Sequence, residues 1–474
     1  MATTPISGLI PRGSLGLKLL LVCLLVLAMG IPLLVVAGLV AERGGRARDV
    51  TTELGAAAGG QQIVGGPMLL VPYQRAVEIT DDQGRSNRRT ERGSFVVFAE
   101  TGAADTTLQV TERRRGIYRA AVYSASTEFD AAFRPGEAMD GVDPSYRFDW
   151  SQARIVMFVS DSRAIRNAAE VRFPDGTTET FEPVSDLSIA TYAQGQDYVR
   201  PGIASTMSTP LPSNLQAFAA PARLTAPTDF AVETRLDLGG AQRFAIAAFA
   251  QDTSATIRGD RDDTRVEGYF QSSEALDPSA EGFVVSWRVP FVARGIEKAA
   301  DLSTFNLGAA AARDMAVSFV STDDIYQGVM RAVRYGIMFI GIVFLATLIF
   351  EAISGRKAHP AQYILVGLAQ CVFYLLLLSM TELIGFTSAF VLAAAATVAL
   401  LGYYAGASFN SAAVGVRALV GLGVLYAAMY VLMTLEDFAL FAGSVVAFAV
   451  IAATMIATRR IDWYGRGVAT STGQ

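Results

Sequence analysis

Glu351 and Glu382 stand where long apolar runs end, and the only histidine, His359, lies between them with Gln362 and Tyr363 close behind. A carboxylate beside hydrocarbon is expensive to keep charged and is by default a functional candidate, for a proton step or an ion contact. The plainer reading of each is an interface residue at the end of a span. His359 precedes Pro360, a residue suited to the first turn of a helix, where a missing N–H costs nothing. A helix-start or headgroup contact is therefore set against a proton-handling role for His359. A single histidine excludes a His-dependent triad and any site built on several histidine ligands.

The remaining polar clusters offer less. YYAGASFN (Tyr403–Asn410) faintly matches an intramembrane serine nucleophile, but Phe409 stands where a second glycine belongs, so it reads as a small polar loop. GDRDD (Gly259–Asp263) lacks the glycine and the register of a calcium loop and reads as a solvated hairpin tip. ERRRG (Glu112–Gly116) could touch anionic headgroups and reads more simply as a charged strand end. Cys23 and Cys371, the only cysteines, sit inside apolar runs and behave there as small hydrophobes. No glycine-rich phosphate loop of the Walker type is present. No catalytic set, metal site or cofactor site is expected.

The elements that carry these residues are membrane helices. Of 474 residues, 52% are hydrophobic and 18% charged, with a mean hydropathy of +0.36. That is too apolar for an ordinary soluble protein and too charged for a chain made only of spans. From Glu42 to Arg331 there are 30 basic against 39 acidic residues, while the remainder is net basic. A mildly acidic solvated portion of this kind points away from a nucleic-acid partner. The bilayer is the partner that the apolar runs require.

Residues 1–18 are short and polar. Leu19–Ala41 is 23 residues without charge, interrupted by Gly30 and Pro32, and Leu39 disfavours signal cleavage after Ala41; an uncleaved anchor, kinked near Pro32, is expected. Residues 42–331 show the two-residue alternation of half-buried strands, clearest in Asp229–Leu238 and repeated in Ser94–Ala99, Ile117–Phe129, Arg154–Ser160, Arg243–Ala250 and Phe283–Val289. Turn signals at Asp81–Gly84, Pro174–Gly176 and Leu238–Gly240 separate strands and suggest antiparallel, sandwich-like layers. Five prolines within Pro201–Pro227 mark a candidate seam between two lobes. Residues 332–458 form a C-terminal region of five spans, near 335–350, 361–380, 384–401, 418–435 and 438–458, followed by a tail at 459–474. The fold class is thus a membrane protein with one N-terminal helix, a large mainly-β domain and a bundle of five C-terminal helices.

Charge alternates between the spans. Arg356 with Lys357, Arg417, and Arg459 with Arg460 and Arg466 fall on one side; Glu382, and Glu436 with Asp437 at a tight turn, fall on the other. Basic residues accumulate in short cytoplasmic loops, which puts both termini in the cytoplasm and residues 42–331 outside.

Several ordered blocks resemble one family. IPLLVVAGLVAER (Ile31–Arg43) and GGPMLLVPY (Gly65–Tyr73) follow the first span. RRGIYRAAVY (Arg114–Tyr123), SDSRAI (Ser160–Ile165) and GFVVSWRVPFVARGI (Gly282–Ile296) fall in the β region. RAVRYGIMFIGIVFLATLIFE (Arg331–Glu351) and HPAQYILVGLAQCVFYLLLLSMTELIGF (His359–Phe386) carry the closest match. Together they resemble the CreD family of bacterial inner membrane proteins, also called cell envelope integrity proteins. Family members tend to have His at the place of Leu383. The resemblance implies an inner membrane protein tied to envelope stress and a two-component response, with no established enzymatic activity; residues 42–331, placed outside by the loop charges, would then be periplasmic.

Two functions from different classes follow. The first is a non-enzymatic protein whose β domain senses or contacts an envelope component, or a membrane protein partner, while the helices anchor it. The second is a transporter or lipid-handling protein with a path between the C-terminal helices. A third, a membrane enzyme, lacks a coherent catalytic set.

Overall fold

A computed structural model describes residues 15–80, 86–184, 215–261, 263–273, 282–319, 323–354, 358–434 and 439–459. The chain divides into two compact units, 49–321 and the combination of 1–48 with 322–474.

The first unit is mainly β and has its own core. Three long strands organise it: β1 (Gln62–Thr80), β2 (Ser86–Arg115) and β3 (Tyr118–Phe133). The first half of β2 pairs antiparallel with β1, and its second half pairs antiparallel with β3, so one strand belongs to two layers. In the first layer β1 is also flanked by Arg154–Val159, antiparallel, and by Arg243–Ala247, parallel, which pairs in turn with Asp314–Phe319. In the second layer Phe230–Ala241 pairs with β3; Ala250–Gly259 runs parallel to β2 and antiparallel to Phe283–Val289.

Side chains from both layers meet in one core that includes Leu69, Val97, Phe129, Leu236, Ile257 and Trp287. The opposite face of the first layer is buried too, where Met68, Phe98 and Phe158 pack with Leu307 and Ala311. A shift in the β1 register between Gly65 and Met68 lets Ile63 and Met68 share that face despite an odd spacing.

The expected strands are present, with particular differences. The Pro174–Gly176 turn joins Glu170–Arg172 to Thr178–Thr180, with Gly176 at φ +83°. Leu238–Gly240 is no turn: the strand runs through it to Ala241, and the chain reverses at Gln242, at φ +64°. Its glycines answer to packing, since a Cβ at Gly240 would lie 2.3 Å from the Tyr123 ring. Asp81–Gly84 lies outside the described residues, though the flanking pair Thr80↔Ser86 closes the ladder. Most of the candidate seam at 201–227 also lies outside them, and its described part holds the strand Gln216–Pro221.

The second unit is helical. Six long helices are labelled here, with short helical turns referred to by residue. Helix α1 (Leu15–Ala56), whose last residues, 49–56, belong to the first unit, continues through Pro32 and well past the apolar run, because Glu42–Ala56 keeps enough helix-forming Ala, Arg and Glu. After the β region come α2 (Asp323–Ser354), α3 (Pro360–Ile384), α4 (Phe386–Ser408), α5 (Ala412–Thr434) and α6 (Ala439–Thr458). Among the described residues, five stretches, beginning with Leu17–Ala56 and ending with Ala412–Met433, are long and apolar enough to cross a membrane; Gly443–Ile456 is a shorter apolar helix. The turn expected at Glu436–Asp437 and the basic residues Arg356, Lys357, Arg460 and Arg466 lie outside the described residues.

Helix α1 has two apolar stripes of different fate. Val22, Met29, Leu33, Val36 and Val40 are buried, while Leu20, Leu24, Leu27, Ile31 and Leu34 are at least two-thirds exposed. Both follow helical spacing, so one faces the bundle and the other faces solvent that must be hydrocarbon. Glycines set the close packing: a Cβ at Gly336 of α2 would lie 3.0 Å from Leu33, and one at Gly367 of α3 would lie 2.7 Å from Met29.

Candidate functional site

That close packing puts the ends of α1 within reach of α2 and α3. Near the end of α2, Glu351 is 5% exposed and forms an ion pair with the Lys18 ammonium of α1. Tyr363, one turn into α3, donates its hydroxyl to the other carboxylate oxygen of Glu351 at 3.3 Å. The Tyr363 ring is itself buried and stands edge-on to Phe344, 5.6 Å between centroids. A buried carboxylate is tolerable when both oxygens find partners, and here each does.

His359 and Gln362 have a different employment. The exposed His359 is the N-cap of α3: its Nδ1 accepts the Ala361 N–H at 3.2 Å, and Gln362 Oε1 accepts the His359 N–H at 3.0 Å. This reciprocal pair fits the helix-start reading, with the imidazole lone pair facing its own backbone.

Glu382 sits at the far end of α3. Its carboxylate is 3.3 Å from Arg43 of α1 and accepts the Tyr326 hydroxyl of α2 at 3.0 Å. The helix between Tyr363 and Glu382 is about 28 Å long, roughly the depth of a bilayer core. The five candidate residues therefore form two places. Glu351 and Tyr363 meet at one end with His359 and Gln362 at the adjoining helix start, and Glu382 stands alone of the five at the other.

Lys18, Arg43 and Tyr326 were not among the expected site residues. Which helix faces which cannot be read from hydropathy, so their partners were hidden; the only signal was that α1 carries a cation just outside each end of its apolar run.

YYAGASFN is helical through Ser408, not a loop, and the turn occupies only the residues up to Ser411. Its small residues serve packing: Gly402, Gly406 and Gly415 bring α4 and α5 close, with a Cβ at Gly406 only 3.3 Å from the Gly415 Cα. Gln362, Tyr363 and Ser408 also line a cavity of about 530 Å³ among α2, α3, α4 and α5.

In the β unit the polar motifs are accounted for locally. Asp161 accepts the Arg163 N–H and grips the Arg163 guanidinium at 2.6–3.1 Å, which holds the carboxyl below the usual carboxylate range. Asp260 accepts the Val110 N–H and Asp263 pairs with Arg261, but Gly259–Asp263 is not the hairpin tip expected: Ala250–Gly259 pairs with β2 and Phe283–Val289, whereas Thr264–Gly268 pairs with Asp314–Phe319, so the segment joins strands of different layers. Arg114 pairs with Glu112 and Arg115 with Glu53 beside the turn at Gly116. Arg294 is the exception: it is fully buried 3.7 Å over the Phe98 ring and donates Nε to the Ala248 carbonyl, but its two terminal nitrogens find no hydrogen-bond partner among the described residues, and its pKa is pushed down to about 9 by burial and by Arg313.

Residues 14–464 match the family model of the inner membrane protein CreD. Inner membrane protein CreD of Escherichia coli (strain K12) is 26% identical over 447 residues, covering 93% of this chain and 91% of that protein. The match runs through both units and every long helix described above, so the chain belongs to the CreD family of inner membrane proteins.

Proposed function

We propose that this protein is a non-enzymatic member of the family that serves cell-envelope integrity, its β unit contacting an envelope component on the periplasmic side while the helical unit anchors it. The observation that carries this reading is the employment of the two candidate carboxylates of the helical unit. Glu351 is held by Lys18 and Tyr363, and Glu382 by Arg43 and Tyr326, so each carboxylate neutralises a neighbouring helix instead of facing an open reaction site. The β unit, in contrast, has an independent core and a concavity of about 490 Å³ in which Asp130, Glu233, Asp252 and Arg288 stand among small apolar residues such as Ala131 and Ala231. Asp130 there is held above the usual carboxylate range, by burial first and then by Glu233, Asp105 and Glu128.

In this reading both termini are cytoplasmic, following the alternating charge of the loops. The test is labelling of Thr178→Cys, on an exposed strand, with a membrane-impermeant thiol reagent in cells whose outer membrane has been permeabilised. Labelling before lysis is expected; labelling only after lysis overturns the orientation. A deletion strain then separates the units. Full-length Asp130→Lys/Glu233→Lys should fail to restore envelope phenotypes at normal protein level, and full restoration would remove this face from the function.

A further inference from the structure

The cavity among α2–α5 has a volume typical of ligand sites and a marked asymmetry of lining. Val343, Ala346, Leu401, Gly421, Leu425 and Ala428 make its body. Its polar side chains gather towards one end: Thr347 in the last third of α2, Gln362 and Tyr363 at the start of α3, Tyr404 and Ser408 at the end of α4, and Arg417 near the start of α5. Arg417 is exposed and has no carboxylate partner among the described residues. From Arg417 to Ala428, the deepest lining residue on α5, is about 16 Å of helix. That is about half of a 30 Å hydrocarbon core, the depth of one leaflet.

A slot one leaflet deep, dry below and cationic at its mouth, matches an amphiphile with an anionic head and an acyl tail. Basic residues between membrane helices at the headgroup level attract such heads. The tail alone would find the slot no better than the surrounding lipid, so the guanidinium is what distinguishes one lipid class from another. We propose that this cavity holds an acyl chain of an anionic phospholipid from the leaflet on the Arg417 side, with the phosphate headgroup against Arg417. Glu351 is already engaged by Lys18 and Tyr363, so it presents no unpaired negative charge to such a head. The inference concerns the helical unit and stands apart from the role proposed for the β unit.

Gly421 supplies the test, because a Cβ there meets no atom within 4 Å and a larger side chain would enter the cavity without a backbone clash. The full chain is purified from mixed phosphatidylglycerol and phosphatidylcholine membranes, checked for monodispersity, and its retained lipid measured by native mass spectrometry. Wild type and Gly421→Ala should each keep about one phospholipid, enriched about fivefold in phosphatidylglycerol, the preference that one basic residue confers. Gly421→Phe should lose about 90% of that lipid, the tenfold drop of a filled site. Arg417→Gln should keep the lipid and lose the enrichment. Equal lipid in a monodisperse Gly421→Phe, or enrichment undiminished in Arg417→Gln, overturns the proposal.

Discussion

Glu382 lies 3.3 Å from Arg43, a partner 339 residues earlier in the chain, and the two tie the end of α3 to α1. Arg43 is 45% exposed, so the pair contributes about 1 kcal/mol and not the larger value of a fully buried one. Arg43→Glu should lower the thermal stability of the detergent-solubilised protein. Arg43→Glu/Glu382→Arg should recover more than half of the loss, a non-additivity expected only of residues in contact. A double variant as unstable as the sum of its parents would remove the pairing.

The Lys18–Glu351 pair is more demanding, because Glu351 is 5% exposed. Lys18→Met leaves a buried carboxylate with one neutral partner and should cost about 3 kcal/mol. Adding Glu351→Gln removes the charge and should restore most of that. Tyr363→Phe loses one hydrogen bond and should cost about 1 kcal/mol. Denaturant unfolding of the four proteins ranks them, and Lys18→Met must fall lowest.

Asp161 gives a pH signature in the β unit. Its folded-state pKa is lowered chiefly by the Arg163 side chain, so it binds fewer protons folded than unfolded near the acid limb. Its contribution is complete above the unfolded carboxylate value of about 3.9 and is lost as pH falls through the lower folded value. Asp161→Asn keeps an acceptor for the Arg163 N–H and removes the charge. The stability gap between the two proteins should therefore be constant at neutral pH and close at strongly acid pH. A gap that widens with acid would contradict the pairing.

Gly240→Ala should destabilise the β unit by about 2 kcal/mol, because the new methyl would overlap the Tyr123 ring, itself 2% exposed. At Gly136 the nearest atom to a Cβ is 3.5 Å away, and Gly136→Ala should be close to neutral. Limited proteolysis with increasing urea compares them, and equal resistance would mean the strand yields easily at Gly240.

What was readable in the sequence follows from what each signal measures. Alternation in Asp229–Leu238 reports a face, and the strand Phe230–Ala241 is there. Leu238–Gly240 misled because glycine marks turns and close approach equally, and here Tyr123 chose between them. Hydropathy marks the end of the lipid, not of the helix, which is why α1 extends from Ala41 to Ala56 unseen. The parallel pairings of β1 with Arg243–Ala247 and of β2 with Ala250–Gly259 join segments far apart in sequence, and no local pattern encodes such partners. The same holds for the candidate residues: Glu351 and Glu382 stood out by chemistry, but Lys18 and Arg43 became visible only once α1 was placed beside α2 and α3.

Lys18 and Arg43 of α1 are separated by about 37 Å of helix, and each meets a carboxylate at the matching height of its neighbours. A slip of α1 by a single turn, about 5.4 Å, would part both pairs together. The first helix is thereby pinned at two levels like a ruler clamped top and bottom, free to tolerate side-to-side repacking and resistant to being drawn through the bilayer.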